Sequence, residues 1–481
     1  MSMDKYQKYL NDWMGQDEAA QTMLPLIGQL YRSRGVNTNV YGQSLVNKTV
    51  IDILNAHGFA QQVLGSKLSI LDTFPILQAI SKLDLSPSRI DIGKLTVKYR
   101  TLKDQQSIDE FVAQELADVN NGRGSLLSEP RDVVLYGFGR IGRLLARVLV
   151  EKTGSGDKLR LRGIVVRKGT DEDLMKRASL LERDSVHGPF NGVIDFDEEE
   201  NAIIVNGNMI RLIYANSPES IDYTAYGIND AIVLDNTGLW RDREGLGKHL
   251  QAKGVSKVIL TAPGKDDIPN IVFGINDDQV DAKETIFSAA SCTTNAVVPV
   301  LKAINDRFGI ESGHLETCHS YTNDQNLIDN YHKKERRGRA AALNMVITET
   351  GAAKASAKAL PELAGKLTGN AIRVPVANVS LAVLNLNLQK ETSVEELNGY
   401  LRDLALHSPL QNQVAYVNSP ELVSSDFIGS RHASVVDSLA TIVEGDRCVL
   451  YVWYDNEFGY TCQVVRLLQK IAGIELPALP A

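Results

Sequence analysis

The sequence predicts a doubly wound parallel α/β sheet, then an α+β domain, with a mainly helical extension ahead of both. Three observations carry this reading. Between 131 and 290, short β-branched runs alternate with helical patterns, as in a parallel sheet covered on both faces. Residues 133–142, Val-Val-Leu-Tyr-Gly-Phe-Gly-Arg-Ile-Gly, give a strand, a glycine turn and a helix start in succession. Residues 3–34, 44–57, 73–83 and 107–118 read instead as helices. The predicted divisions are 1–128, 129–290 (rejoined by a closing helix over 457–481) and 291–456.

In the extension, Leu10, Trp13, Ala20, Leu24, Ile27 and Tyr31 share one helical face, and Pro25 is expected to restart the helix. Asp72 or Thr73 is expected to cap the helix over 73–83. Residues 88–100 alternate apolar and polar, which suits a half-buried strand or extended arm. The run Asn-Asn-Gly-Arg-Gly-Ser at 120–125 reads as a linker. Nothing in this segment offers chemistry that can be named. It reads as a docked appendage, with a regulatory or partner-binding role as the alternative.

Strands of the sheet are expected at 132–136, 161–166, 202–206, 210–214, 231–235, 257–261 and 285–289. Gly137, Gly139 and Gly142 open the first helix, where backbone and helix dipole both favour a pyrophosphate. This is a Rossmann-type arrangement for NAD or NADP. Thr237 and Thr261 end later strands, where ligands bind in such sheets. The second strand normally ends in a carboxylate that holds the adenosine ribose; here it ends in Arg167 and Lys168, with no acid before Asp171. An arginine there can accept the extra phosphate of NADP, so NADP is slightly favoured over NAD.

Cys292 follows the apolar run Thr-Ile-Phe-Ser-Ala-Ala at 285–290 and opens a helix carrying Val297, Val298, Val300, Leu301, Ile304 and Phe308. The positive end of a helix favours thiolate. The same N–H groups, with the hydroxyls of Ser291, Thr293 and Thr294, can hold an oxyanion or a phosphate. His319, after a second strand over 313–318, is the candidate base. Thr350 and Gly351 start another helix, whose N–H groups suit phosphate, and Arg373 closes a strand with a donor fork of the kind phosphates prefer.

The chain has 481 residues, 43% hydrophobic and 23% charged, with a net charge of −8. That balance fits a globular protein of about three domains and gives no support to nucleic-acid binding. Four cysteines (292, 318, 448, 462) form no paired framework, which points to a reducing compartment. No secretory signal and no membrane-spanning apolar run is evident, so a cytoplasmic location is expected. The eight histidines show no metal-ligand spacing.

The motifs at 137–142, 291–295 (Ser-Cys-Thr-Thr-Asn), 350–354 (Thr-Gly-Ala-Ala-Lys), 373–375 (Arg-Val-Pro) and 453–457 (Trp-Tyr-Asp-Asn-Glu) stand in one order and spacing. From about 131 onward the chain resembles the phosphorylating glyceraldehyde-3-phosphate dehydrogenases; residues 1–128 have no counterpart there. The resemblance implies Cys292 as nucleophile and His319 as base. It implies Arg373 and Thr322 at the substrate phosphate, and Ser291, Thr293, Thr350 and Gly351 at inorganic phosphate. Arg140 and Ile141 fall at pyrophosphate-contacting and nicotinamide-packing positions, Asn456 holds the nicotinamide amide, and Tyr460 lies beside the ring. NAD-specific members often carry a proline where this chain has Asn330-Tyr331, a second lean toward NADP. The basic run 333–339 corresponds to a loop bordering the anion sites and a neighbouring subunit's cofactor, which implies a homotetramer. Oxidative phosphorylation of glyceraldehyde 3-phosphate is therefore expected. The alternatives are the sister activity on erythrose 4-phosphate and an idle regulatory protein with the same fold.

Overall fold

The computed structural model describes residues 3–65, 67–120, 122, 126–281 and 283–480. Most of the expected linker at 120–125 lies outside them. The chain separates into two compact units, one of residues 1–130, 153–158 and 473–481, the other of 131–152 and 159–472.

The first unit opens with a 32-residue helix, Met3–Arg34, which Pro25 does not interrupt. Gln21, whose carbonyl loses its partner to the proline, is exposed, so water can satisfy it. Ala20, Met23, Ile27, Leu30 and Tyr31 are buried, whereas Leu10 and Trp13, expected on the same covered face, are exposed. Helices Val50–Leu64 and Ile70–Ser81 start later and earlier than expected because capping boxes set their ends: Thr49 with Asp52, and Ser69 with Asp72. Residues 88–100 correct the expectation of a strand. Only Arg89–Asp91 is extended, and Ile92–Arg100 is a helix. Asp91 decides the switch, accepting from Lys94 N at 2.9 Å as the helix cap. Ile92, Leu95 and Thr96 are buried on one helical face, a period hidden within the apparent alternation. A four-stranded sheet runs in the order Gln43–Ser44, Asn37–Val40, Arg89–Asp91, Ala478–Leu479.

In the second unit, six strands are parallel in the order Ile286–Ser288, Val255–Leu260, Ala231–Asp235, Arg131–Tyr136, Leu159–Val166, Asn208–Tyr214. The edge departs from a purely parallel sheet. Ala202–Val205 and Ile194–Asp197, the latter missed in the sequence, extend it antiparallel through tight turns. Strand order reverses between Arg131–Tyr136 and Ala231–Asp235, the crevice where such sheets take ligands. Helix Phe458–Ile471 packs against Arg140–Glu151. Residues 473–481, expected to continue with that helix, instead group with the first unit.

A second sheet, mostly antiparallel, runs Val346–Glu349, Leu367–Val374, Ile310–Ser320, Ser380–Leu388, Arg447–Tyr454, Ser434–Asp437, Val414–Val417. Helix Cys292–Phe308 lies in its core, with Val297, Val298, Val300, Leu301 and Ile304 each wholly buried. Its first turns are covered on all sides, so this is a central helix rather than an amphipathic surface one. Among the described residues, no helix is long and apolar enough to cross a membrane.

Candidate active site

The strand Ile286–Ser288 ends in Ala289 and Ala290, and Ala290 takes φ +53° to turn the chain sharply into the helix. A non-glycine residue there is strained, and the strain is held by packing at the point where the nucleophile emerges. Ser291 caps the helix, its Oγ accepting from Thr294 N at 3.0 Å, and Asn295 Nδ2 donates back to the Ala289 and Ser291 carbonyls. Cys292 is thereby fixed as the first helical residue.

His319 comes from the far end of Ile310–Ser320, and Arg373 is its register partner on the parallel strand Leu367–Val374. His319 Nε2 lies 3.5 Å from Cys292 Sγ. On the other side of the ring, His319 Nδ1 is 2.8 Å from Ser320 O, and Arg373 Nη1 reaches both Nδ1 and that carbonyl at 3.0 Å. A proton on Nδ1 donates to the carbonyl and leaves the Nε2 lone pair facing the thiol; Arg373 Nη1, itself a donor, then bonds the carbonyl and only abuts Nδ1. Burial and the adjacent Arg373 charge lower the His319 imidazole to about 3, so the ring is neutral. Burial also pushes the Cys292 thiol up, while Arg373 and hydrogen bonds around Thr293 pull it down. The expectation of a depressed thiol is thus corrected: desolvation outweighs the helix start, and the resting pair is thiol and neutral imidazole. The Arg373 Nε is buried without a partner, a polar atom left to be satisfied.

Two residues that the sequence reading named only within a motif, or not at all, support this centre. Tyr454 OH lies 3.0 Å from Thr293 Oγ1 and 2.7 Å from Thr317 Oγ1, clamping the helix start to the strand of His319. Ser380 donates to Asn456 Oδ1 at 2.8 Å and accepts from Ser320 N at 3.1 Å, linking Asn456 to the same strand. Val379, just before Ser380, is a β-branched residue at φ +68° whose carbonyl accepts from Ser320 Oγ. Tyr460 OH donates to Ala290 O at 3.0 Å, tying the closing helix to the turn before Cys292.

The glycine turn fits a dinucleotide. Gly137 takes φ +97°, and a Cβ on Gly142 would stand 2.4 Å from Gly137 O. Gly139 faces open space and gives the helix Arg140–Glu151 no side-chain cap, so its N–H groups are left for an anion. Thr237 and Thr261 close the crevice but spend their hydroxyls inside it, on Asp235 Oδ1 at 2.7 Å and on Asn236 Oδ1 at 3.1 Å. Arg140 does not point at the turn's open side. It grips Glu457 at 2.6 Å and Asp184 at 3.1 Å. His187 joins this cluster and bonds Asp455 at 3.2 Å. Arg167 stands exposed at the end of Leu159–Val166.

Thr350 Oγ1 accepts from Ala352 N at 3.2 Å, and Gly351 caps Ala352–Ala359, which packs on the Cys292 helix. Arg337 bonds Thr348 at 3.0 Å and pairs with Asp324. Both line a cleft of about 560 Å³ with Gly238, Arg241, Lys265 and Lys333. The signal for Arg337 was present in the basic run, but spacing alone does not tell which of its cations turns inward. Thr322 makes its contact through its carbonyl, which accepts from Gln325 N at 2.9 Å.

Comparison with known proteins agrees with this arrangement. The family model described as the glyceraldehyde 3-phosphate dehydrogenase NAD binding domain matches residues 131–243, and that of the C-terminal domain matches 291–456. A glyceraldehyde-3-phosphate dehydrogenase-like protein of Pseudomonas aeruginosa (strain UCBPP-PA14) is 61% identical over 460 residues, 95% of this chain and all of that protein. The chain belongs to the glyceraldehyde-3-phosphate dehydrogenase family. It is thus a member of an oxidoreductase family with an NAD-binding domain. The chloroplastic glyceraldehyde-3-phosphate dehydrogenase A of Zea mays is 39% identical over 84% of this chain and 98% of its own length. The glyceraldehyde-3-phosphate dehydrogenase of Clostridium pasteurianum is 40% identical over 98% of its length but only 71% of this chain. The Pseudomonas alignment leaves too little of the chain uncovered to omit a segment the size of 1–128, so that protein shares most of the extension.

Proposed function

We propose that this chain catalyses the reversible oxidative phosphorylation of glyceraldehyde 3-phosphate to 1,3-bisphosphoglycerate with NAD(P) and inorganic phosphate. The observation that carries the reading is Cys292 Sγ at 3.5 Å from a neutral His319 Nε2, at a helix start and beside Arg373. Sγ attacks the aldehyde carbon while the thiol proton crosses through His319 Nε2 to the carbonyl oxygen, giving a hemithioacetal. His319 then takes that hydroxyl proton as a hydride leaves the carbon, and a thioester on Cys292 remains. When bound, the nicotinamide supplies the hydride acceptor. Inorganic phosphate attacks the thioester carbonyl, the C–S bond breaks, and Cys292 is released as thiolate. Arg373 and Thr322 hold the substrate phosphate, with Arg337 as a further cation at that site. Ser291, Thr350 and the N–H groups around Thr293 and Gly351 hold the attacking one.

Gly137, Gly139 and Gly142 cradle the pyrophosphate, Ile141 packs on the nicotinamide, and Asn456 and Tyr460 set its orientation. Arg140 positions Asn456 through the neighbouring Glu457. Arg167, exposed at the strand end without a carboxylate beside it, supports NADP binding at least as well as NAD. A homotetramer is supported by exposed apolar side chains along 327–345, Leu327, Ile328, Tyr331, Leu343 and Met345, a patch a monomer would leave wet. Steady-state assay of glyceraldehyde 3-phosphate and erythrose 4-phosphate against both cofactors, with and without inorganic phosphate, tests the reading. Phosphate-dependent turnover of the triose is expected. Faster turnover of the tetrose, or none of either, would reject it.

A further inference from the structure

Two residues past the strand Arg447–Tyr454, Asn456 stands in a backbone that is pinned on both sides. Asp455 Oδ1 accepts from Glu457 N at 2.9 Å and from Phe458 N at 2.7 Å, and its Oδ2 accepts from Gly429 N at 2.8 Å. Arg140 holds the Glu457 carboxylate at 2.6 Å. Such pinning leaves the amide itself undecided, since its oxygen and nitrogen are alike in shape and opposite in hydrogen-bonding sense. Ser380 decides it. Its Oγ accepts from Ser320 N at 3.1 Å, a backbone group that can only donate, and turns its one proton to Asn456 Oδ1 at 2.8 Å. Among the described residues Asn456 Nδ2 has no partner, and it is not sealed from solvent although Asn456 as a whole is only 6% exposed.

We infer that Ser380 is a positioning residue for the cofactor: by occupying Oδ1, it presents the Asn456 amide to the nicotinamide as a donor. This rests on the placement of Asn456 at the nicotinamide under the proposed function. The carboxamide of the ring has an acceptor side and a donor side, and an Asn456 free to turn over would serve either. With Oδ1 held, the carboxamide oxygen finds a partner at Nδ2, whereas the carboxamide nitrogen would meet a second donor and is turned away. Support of Ser320 N needs only the acceptor half of the Ser380 hydroxyl; the donor half goes to Asn456. The hydroxyl cannot swing to water, because Ser380 is 1% exposed and pairs in register with Tyr454. Directly before it stands Val379, a β-branched residue at φ +68° whose carbonyl accepts from Ser320 Oγ at 2.9 Å. Strain of that kind persists where packing over-determines it, and here it sets the residue that orients Asn456.

Calorimetry on the full-length protein with NAD, and with ADP-ribose, which lacks the nicotinamide, tests this. Ser380→Ala is expected to weaken NAD about fivefold, the scale of one hydrogen bond, and to leave ADP-ribose unchanged. Ser380→Cys fills the same space with a weak donor; it is expected to weaken NAD by less, and it serves if the alanine variant fails to fold. In an Asn456→Ala background, Ser380→Ala should weaken NAD no further, because the serine acts through the amide it holds. NAD affinity unchanged by Ser380→Ala, equal weakening of NAD and ADP-ribose, or an effect undiminished in the Asn456→Ala background would overturn the positioning role and leave Ser380 as a support for Ser320. NAD binding untouched by Asn456→Ala would overturn it together with the placement of Asn456 at the nicotinamide. None of these readouts needs turnover, so they stay decisive whatever aldehyde the protein oxidises.

Discussion

Arg373 stands where two opposed demands meet. Its charge lowers the His319 imidazole and the Cys292 thiol alike, so it discourages the imidazolium while favouring the thiolate. Removing it should raise both. In Arg373→Gln, the pH midpoint for alkylation of Cys292 is expected to move upward by about one unit, the size of effect an adjacent opposite charge produces. Mass mapping of the labelled cysteine against pH checks this, and a midpoint that stays or falls would remove Arg373 from control of the thiol. Labelling should still favour Cys292 over Cys448 and Cys462, which are buried, with the Cys448 thiol pushed up to about 11 by burial. Arg167 makes a separate demand. A charge-assisted hydrogen bond to the 2′-phosphate contributes about 1.5–3 kcal/mol. Arg167→Asp should therefore depress kcat/KM with NADP by about one to two decades and leave NAD much less affected. Equal losses with the two cofactors would mean that Arg167 does not read that phosphate.

The glycine turn and the chain's last strand each test an element. A methyl on Gly142 would sit 2.4 Å from the Gly137 carbonyl, and backbone cannot yield as a side-chain tip can. Gly142→Ala is expected to weaken NAD(P) at least about fivefold by calorimetry, from a strain of about 1–3 kcal/mol, with the far-UV spectrum unchanged. Undiminished binding would show that the turn opens freely. At the other end, Ala478–Leu479 lies parallel to Arg89–Asp91 as the fourth strand of the small sheet, and Pro477 O accepts from Arg89 N at 2.7 Å. Ending the chain at Gly473 exposes that edge. Hydrogen exchange should rise at residues 89–91 in the shortened protein while Cys292→His319 chemistry persists. Protection unchanged at 89–91 would make the last strand dispensable.

Across the molecule, desolvated neutral histidines are expected to set the acid limit, with His319 buried and His432 partly so. His319 is lowered to about 3 and His432 to about 4, both chiefly by burial. The unfolded chain takes up these protons near pH 6.5, so below that value it binds more protons than the folded one. Stability is therefore full above about pH 6.5 and falls as pH drops, by about 1.4 kcal/mol per unit for each ring, until the folded values are reached. Asp184, which backbone N–H groups and Arg140 bring to about 2 against the opposing effect of its burial, adds stability that is fully present at neutral pH and is lost only below its ordinary carboxylate range. Denaturant midpoints at pH 7, 6 and 5 should fall progressively, and His432→Gln should make the slope shallower. An unchanged slope would assign the acid sensitivity elsewhere.

Local chemistry was enough to place Cys292 at a helix start, Gly137, Gly139 and Gly142 in a turn, and the alternation of strands and helices from 131 onward, because caps, glycines and apolar periods act over a few residues. It was not enough for residues 88–100, where strand and helix periods coincide and Asp91 capping decided. Nor could it reveal that the apolar face of helix Met3–Arg34 is half buried and half bare, since periodicity marks a face without saying what covers it. The protonation of the Cys292–His319 pair was likewise decided by tertiary structure. Helix position argued for thiolate, but desolvation depends on everything packed around the pair. Arg373 reaches it only through a strand register that joins residues 54 positions apart.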